Sequence, residues 1–151
     1  MKSIYIIGSL RNKEIPVIAN EIRSLGFDAF DDWHAAGPEA DDEWKRYELG
    51  RGHHYGEALQ GYAARHVFHF DLSHLDRCDA AVLVLPAGRS GHLEFGYMKG
   101  QKKIGYVLFP GQPKDDERFD VMYQFANGIY FNLDELKKGL LDDRAIQLTA
   151  S

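Results

Sequence analysis

One glutamate, Glu94, stands where a parallel α/β sheet would place a catalytic carboxylate. It follows the apolar run AAVLVL at residues 80–85, which predicts a buried strand because turn signals bound it on both sides. A turn rich in Pro, Gly and Ser then leads into a predicted helix over residues 91–101. Ligands of such sheets bind at the carboxyl ends of the strands, where helix N-termini point. We therefore predict that Glu94 lies at a ligand site, where the helix dipole favours its ionised, nucleophilic form.

A purely stabilising role is the alternative for Glu94. Acidic side chains are common in the first turns of helices, and Ser-x-x-Glu forms a capping box. Ser90 and Glu94 are four residues apart, so the box does not close with Ser90 as the cap. The spacing alone leaves the functional and the stabilising interpretations both open.

A small turn follows the first predicted strand, residues 4–7, and contains Gly8, Ser9 and Arg11. Its backbone N–H groups, hydroxyl and guanidinium could hold a phosphate at the start of the next helix. The sequence has neither a GxGxxG nor a GxxxxGK[ST] motif, so it indicates no dinucleotide fingerprint and no P-loop. A helix cap followed by a solvated arginine is the competing interpretation.

Three other kinds of side chain carry weaker signals. Asp71 borders the apolar stripe of Phe68, Leu72 and Leu75 on a predicted helix, where a solvated edge residue is the ordinary interpretation. The histidines form no HExxH motif or dense Cys/His cluster, so we predict no metal site. The single cysteine, Cys78, cannot form an internal disulfide, which fits a reducing cytoplasm, and its position indicates a small buried residue.

Strands and helices alternate along the chain, which predicts a parallel, doubly wound sheet with right-handed crossovers. Five such strands favour the flavodoxin-like order 2-1-3-4-5, flanked by helices, in a single domain over residues 1–151. The predicted strands are residues 4–7, 27–30, 80–85, 104–109 and 129–131, and the predicted flanking helices are residues 14–25, 91–101 and 118–126.

The region from residue 31 to residue 77 is far longer than one crossover helix requires. A structureless loop of this length would be unusual, so we expect two helices, around residues 42–49 and 57–75. Trp33 lies in a segment predicted to leave the second strand as a loop near its carboxyl end. This aromatic insertion after strand 2 could cover a ligand or pack an interface.

Composition restricts the class of partner. The 151 residues carry a net charge of −5, whereas a general nucleic-acid binder would show a basic face. The longest apolar runs have the length of strands, so we predict no transmembrane helix and no membrane partner. The N-terminal residues lack the apolar stretch of a signal peptide, which predicts a cytoplasmic location. A small anionic substrate held by a few local donors remains compatible with this composition.

Four segments, taken in order, resemble the nucleoside 2-deoxyribosyltransferase superfamily, which includes the 2′-deoxynucleoside 5′-phosphate N-hydrolases. SIYIIGSLR at residues 3–11 resembles the opening strand, whose tyrosine contacts the nucleophile. DLSHLDRCDA at residues 71–80 resembles the D-x-x-x-L-x-x-x-D unit, whose first aspartate serves the sugar and base. EFGYM at residues 94–98, followed by GQKK, resembles the segment with the nucleophilic glutamate. VMYQFAN at residues 121–127 lies where the family offers a polar residue to the neighbouring subunit.

The resemblance implies an enzyme that cleaves or transfers the N-glycosidic bond of a small nucleoside or nucleotide, with no cofactor and no metal. It also implies a homodimer with shared active sites. The GSLR form at residues 8–11 is closer to the phosphohydrolase branch, which favours a nucleoside 5′-monophosphate as substrate. The implied catalytic residues are Glu94, Tyr5 and Asp71, and the implied substrate-binding residues are Gly8, Ser9, Arg11, Ser90, Gly91 and Asn127.

Two departures from the family pattern leave the substrate open. The transferases have an acidic residue six positions before the glutamate, where this chain has Gly88, and Ser90 could supply a hydroxyl instead. The insertion at residues 31–77 is longer and more aromatic than the usual pattern. Cleavage of a larger nucleotide such as NAD by the same carboxylate is one alternative. A nucleotide-binding or sensing module without turnover is the other.

Overall fold

Five parallel strands form one sheet in the order β2-β1-β3-β4-β5, which confirms the predicted flavodoxin-like fold class. The computed structural model describes residues 1–150, with their side chains as far as residue 148. In register, Tyr5 of the first strand lies opposite Ala81 of the third. The strands are β1 (Ser3–Ile7), β2 (Asp28–Phe30), β3 (Ala80–Val84), β4 (Ile104–Leu108) and β5 (Gly128–Tyr130).

Helices cover both faces of the sheet, and the alternation of side chains along β1 divides the core into two layers. Ile4 and Ile6 pack in the layer covered by α1 (Ile15–Ser24) and α6 (Leu133–Ala150). Tyr5 and Ile7 pack in the other layer, beneath α4 (Tyr62–Arg77) and α5 (Arg89–Gly100). The alternation therefore directs Tyr5 toward the helices that carry Asp71 and Glu94. None of the helices within residues 1–150 is long and apolar enough to cross a membrane.

The insertion contains more elements than the two predicted helices. A 3₁₀ turn (Asp32–Ala36) is followed by α2 (Ala40–Gly50), α3 (Tyr55–Leu59) and α4. The single helix predicted over residues 57–75 is wrong, because the chain breaks its helical path at Gly61. Gly61 has an extended backbone, and a side chain there would come within 3.2 Å of the Ala58 carbonyl oxygen.

Trp33 ties this insertion to the first strand. Because β2 pairs with β1 only as far as Tyr5, the carbonyl of Ile6 lies beyond the paired residues. The indole N–H of Trp33 donates to that carbonyl at 2.7 Å. Nε2 of His34 lies 3.0 Å from the carbonyl oxygen of Asn12, in a hydrogen bond that requires the proton on Nε2. The start of the insertion therefore fixes the loop between β1 and α1.

The segment before β5 differs from its prediction. Instead of an α-helix over residues 118–126, residues Val121–Phe125 form a short 3₁₀ turn. The Asp120 side chain caps it by accepting the backbone N–H of Met122 at 2.9 Å, an arrangement that favours a turn over a longer helix. The C-terminal helix α6 was not predicted, because its apolar positions are interrupted by charged residues. Among its side chains up to residue 148, Leu136 and Leu140 are the ones buried in the core.

Candidate active site

Three predicted catalytic side chains converge in the seam between α4 and α5. Tyr5 comes from β1 and is 1% exposed, Asp71 comes from α4, and Glu94 comes from α5. The Tyr5 hydroxyl donates a hydrogen bond to the Glu94 carboxyl group, and burial with two nearby carboxylates raises the pKa of Tyr5. The negative charge of Asp71 raises the pKa values of both Tyr5 and Glu94. The fold thus assembles two carboxyl groups and a phenol from segments far apart in sequence.

Burial sets the protonation of Glu94. It raises the pKa of this carboxyl from its ordinary value of 4.5 to about 7, the hydrogen bond from Tyr5 lowers it, and the charge of Asp71 raises it further. The expectation that the helix dipole favours the ionised form is wrong. Since α5 begins at Arg89, Glu94 lies in the second turn, beyond the unpaired N–H groups that create the dipole effect. Protonated and ionised Glu94 therefore coexist near neutral pH.

Asp71 has the properties of a proton donor. Burial raises its pKa from 3.8 to about 6, so a fraction of it stays protonated near neutral pH. The buried stripe predicted beside it is only half right. Leu75 is 5% exposed and belongs to the core layer beneath α4 and α5, but Phe68 is 60% exposed and does not belong to it.

Ser9 and Arg11 line an open crevice at the carboxyl ends of β1 and β3. Its opposite wall is the turn at residues 86–88. Ser9 accepts the backbone N–H of Arg11 at 3.1 Å, which stabilises the loop. The Arg11 guanidinium extends to the insertion and lies 3.1 Å from the carboxylate of Asp42 on α2.

Gly8 and Gly91 have a packing role that needs no substrate. A Cβ on Gly8 would approach Cδ1 of Ile15 to 2.5 Å, and one on Gly91 would approach Cγ2 of Ile7 to 3.1 Å. Gly8 therefore lets α1 lie close to the loop that precedes it, and Gly91 lets α5 lie close to the sheet. Ser90 is exposed in the first turn of α5.

Asn127 is held within its own chain. Its side-chain oxygen accepts the backbone N–H of Gly105 at 2.9 Å and a hydrogen bond from the Lys99 ammonium group. These contacts use the oxygen of the carboxamide and do not involve its NH₂ group. Asn127 therefore fixes the entry into β5 whether or not it also serves a neighbouring subunit.

Solved structures of two enzymes resemble this fold. One is a 2-deoxyribosyltransferase from Bacillus psychrosaccharolyticus, with 16% identity, a TM-score of 0.58, and coverage of 89% of this chain and 90% of the other. The second is the Clostridium botulinum CMP N-glycosidase BcmB, with 13% identity, a TM-score of 0.54, and coverage of 92% and 98%. The chain shares its fold with both enzymes. The resemblance found in the sequence is thereby confirmed at the level of the fold. No protein-family model and no curated protein sequence matches the chain.

Sequence reasoning missed the side chains that support Tyr5. The ring of Phe30 lies 5.1 Å from that of Tyr5, and the imidazole of His74 stacks on Phe30 at 3.8 Å. Nε of Arg77 donates to Nδ1 of His74 at 2.8 Å, and burial together with the Arg77 charge lowers the pKa of His74. A neutral histidine therefore stacks behind the ring that supports Tyr5. The spacing of His74 and Arg77 by three residues on a helix was the available signal.

No group of three or more His, Cys, Asp or Glu side chains within the described residues is arranged to hold a metal ion. Cys78 is buried in the core layer beneath α4 and α5, and burial raises the pKa of its thiol. A raised pKa disfavours the reactive thiolate, so Cys78 serves packing rather than chemistry.

Proposed function

We propose that this protein cleaves the N-glycosidic bond of a nucleoside or nucleoside 5′-monophosphate, with Glu94 as the nucleophile. The observation that carries the proposal is the half-buried Glu94 carboxyl group, hydrogen-bonded by Tyr5 and lying near Asp71. A transferase and an N-glycosidase that share the fold support cleavage or transfer of such a bond in general.

The chemistry assigns each side chain a separate task. Cleavage develops positive charge on C1′ and the ring oxygen, which a carboxylate stabilises. Ionised Glu94 attacks C1′ to form a glycosyl ester while the C1′–N bond breaks, and the departing base takes the proton of Asp71. Water or a second base then attacks C1′, the ester bond breaks to release the Glu94 carboxylate, and Asp71 accepts the attacking group's proton. Tyr5 holds the carboxyl group in position.

A chromatographic assay of base release and base exchange tests this function. The protein is incubated with nucleosides, their 5′-monophosphates and NAD, with and without a second free base. A hydrolase releases the base without an acceptor, and a transferase forms a new nucleoside or nucleotide when the second base is added. Release of nicotinamide alone would favour the NAD alternative. Ligand binding without any product would favour the sensing module and contradict the proposal.

We further propose that Ser9, Arg11 and Ser90 hold the 5′-phosphate. Arg11→Ala should lower kcat/KM for nucleoside 5′-monophosphates by about 10- to 100-fold, because it removes a charge-assisted hydrogen bond. The same variant should leave kcat/KM for unphosphorylated nucleosides nearly unchanged. Arg65→Ala is the matched control, because it removes an exposed guanidinium that donates a hydrogen bond to Gln60. Equal kcat/KM for the two substrate classes in the wild type, or an unaffected Arg11→Ala, would reassign the substrate to nucleosides.

A second copy of the chain would complete each active site. The 3₁₀ segment and the residues before it expose four apolar side chains, each at least 59% accessible: Phe119, Val121, Met122 and Phe125. Met122 and Phe125 also line a groove with His92 and Phe95 of α5. Patches of this kind mark interfaces, and an isologous dimer would bring Asn127 equally into both pockets.

Mixing two inactive variants tests the shared site. Asn127→Asp keeps an oxygen for Gly105 and Lys99 but removes the NH₂ group that a partner's ligand would use. When the Asn127→Asp and Glu94→Gln proteins are mixed in equal amounts, about a quarter of wild-type base release should return. Half of the randomly exchanged dimers then contain one subunit of each kind, and one of their two pockets is intact. Each variant taken alone through the same exchange procedure is the control and should stay inactive. Failure of rescue after demonstrated subunit exchange, or an active monomer, would contradict the shared site.

A further inference from the structure

The insertion contacts the proposed phosphate-binding loop at three points. Trp33 and His34 bond the carbonyls of Ile6 and Asn12 on either side of this loop. The third contact is different in kind, because Asp42 of α2 places a carboxylate 3.1 Å from the Arg11 guanidinium. The Asp42 carboxylate therefore already pairs with the Arg11 guanidinium at the edge of the crevice.

The ion pair between Arg11 and Asp42 can give way to another anion at little cost in free energy. The two side chains are 70% and 49% exposed, and exposed ion pairs are weak. Asp42 also lies in the first turn of α2, where the helix N-terminus stabilises negative charge without help from Arg11. Releasing Arg11 therefore costs little and leaves α2 intact.

We propose that Asp42 competes with the phosphate of the substrate for Arg11, so that α2 of the insertion sets the affinity of the site for phosphate monoesters. The inference rests on the proposed function, in which Arg11 receives the 5′-phosphate of a nucleotide. Phosphate binding to Arg11 then displaces the Asp42 carboxylate and releases α2 from the β1–α1 loop. Nucleosides without a phosphate bind with the ion pair intact.

Calorimetric titration with inorganic phosphate and with nucleoside 5′-monophosphates tests this competition. The parent is Glu94→Gln, so that no turnover disturbs the measurement. Adding Asp42→Asn should tighten binding of both ligands by about three- to tenfold, because it removes a weak competitor and a nearby like charge. Binding of the corresponding nucleosides should stay unchanged. Asp41→Asn is the matched control, since it makes the same change in net charge one residue earlier on α2.

Tryptophan fluorescence follows the release of α2 directly. The chain's two tryptophans both lie in the insertion, and Trp44 is two residues beyond Asp42. Phosphate should change the emission of the Glu94→Gln parent saturably, with a midpoint equal to the calorimetric Kd. The change should be lost when Trp44→Phe is added and should shrink when Asp42→Asn is added, because α2 is then already free.

The outcomes separate this inference from the proposed function. Equal phosphate affinities for the Asp42→Asn and Asp41→Asn proteins, or a parent that binds neither phosphate nor monophosphates, would overturn the competition. Base release by the wild type would still support the proposed function in both cases. Tighter phosphate binding specific to Asp42→Asn, with no base release by the wild type, would support the competition and overturn the proposed function alone.

Discussion

Glu94→Gln is expected to lower the rate of base release by at least about 10³-fold. The amide cannot form the glycosyl ester with C1′, whereas its oxygen can still accept the hydrogen bond from Tyr5. Initial rates of base release at saturating substrate measure the effect. Glu43→Gln, at an exposed glutamate in the first turn of α2, is the matched control and should keep wild-type activity. A Glu94→Gln protein with near-normal base release would contradict the assignment.

Stability measurements show whether Glu94→Gln acts on chemistry or on folding. Folding raises the pKa of Glu94 from 4.5 to about 7, so the wild type loses stability as the pH rises through this window. Above about pH 7 the half-buried carboxylate is ionised, and the full free-energy cost of its desolvation is present. The glutamine variant lacks this cost. It should therefore unfold at a higher temperature than the wild type at pH 8, with a smaller difference at pH 5.

Asp71→Asn is expected to lower kcat/KM by about 10²-fold or more, because the departing base then lacks its proton donor. Asparagine keeps the size of the side chain, so substrate binding should change less than the rate. Ser73→Ala, two residues further along α4, is the control. It removes a hydroxyl that donates to the carbonyl of Phe70 and should keep the wild-type rate. Wild-type rates in Asp71→Asn would remove Asp71 from the mechanism.

The pH profile gives an independent signature of the same two carboxyl groups. Activity should rise with pH as Glu94 ionises and fall as Asp71 loses its proton, with an optimum between about pH 6 and 7. The two apparent pKa values belong to the interacting pair. Asp71→Asn should abolish the falling limb and leave a single rising limb that follows the ionisation of Glu94. An unchanged bell-shaped profile of kcat/KM in this variant would contradict the roles.

The sheet could be predicted because its strands are short apolar runs separated by turns and helices. The order of the five strands followed from that alternation and is confirmed. Placing Tyr5, Asp71 and Glu94 in one site required the resemblance to a known family, since the spacing around Glu94 left two interpretations open. The structure brings these three side chains together in the seam between α4 and α5.

The features that could not be predicted depend on contacts between distant segments. The pKa of Glu94 is set by burial and by Tyr5 and Asp71, whereas the sequence pattern suggested only a helix dipole. The pair of Arg11 with Asp42 joins residues 31 positions apart. The C-terminal helix α6 escaped prediction because tertiary packing of Leu136 and Leu140, rather than a continuous apolar face, holds it in place.

The anomeric configuration of the first sugar product tests the central claim most directly. With methanol added as an acceptor during cleavage of a β-nucleoside or its 5′-monophosphate, proton NMR distinguishes the two methyl glycosides. Attack by Glu94 followed by attack of methanol inverts C1′ twice, so our account predicts the β-glycoside, with net retention. Formation of the α-glycoside would show direct displacement without a glycosyl ester and would contradict Glu94 as the nucleophile.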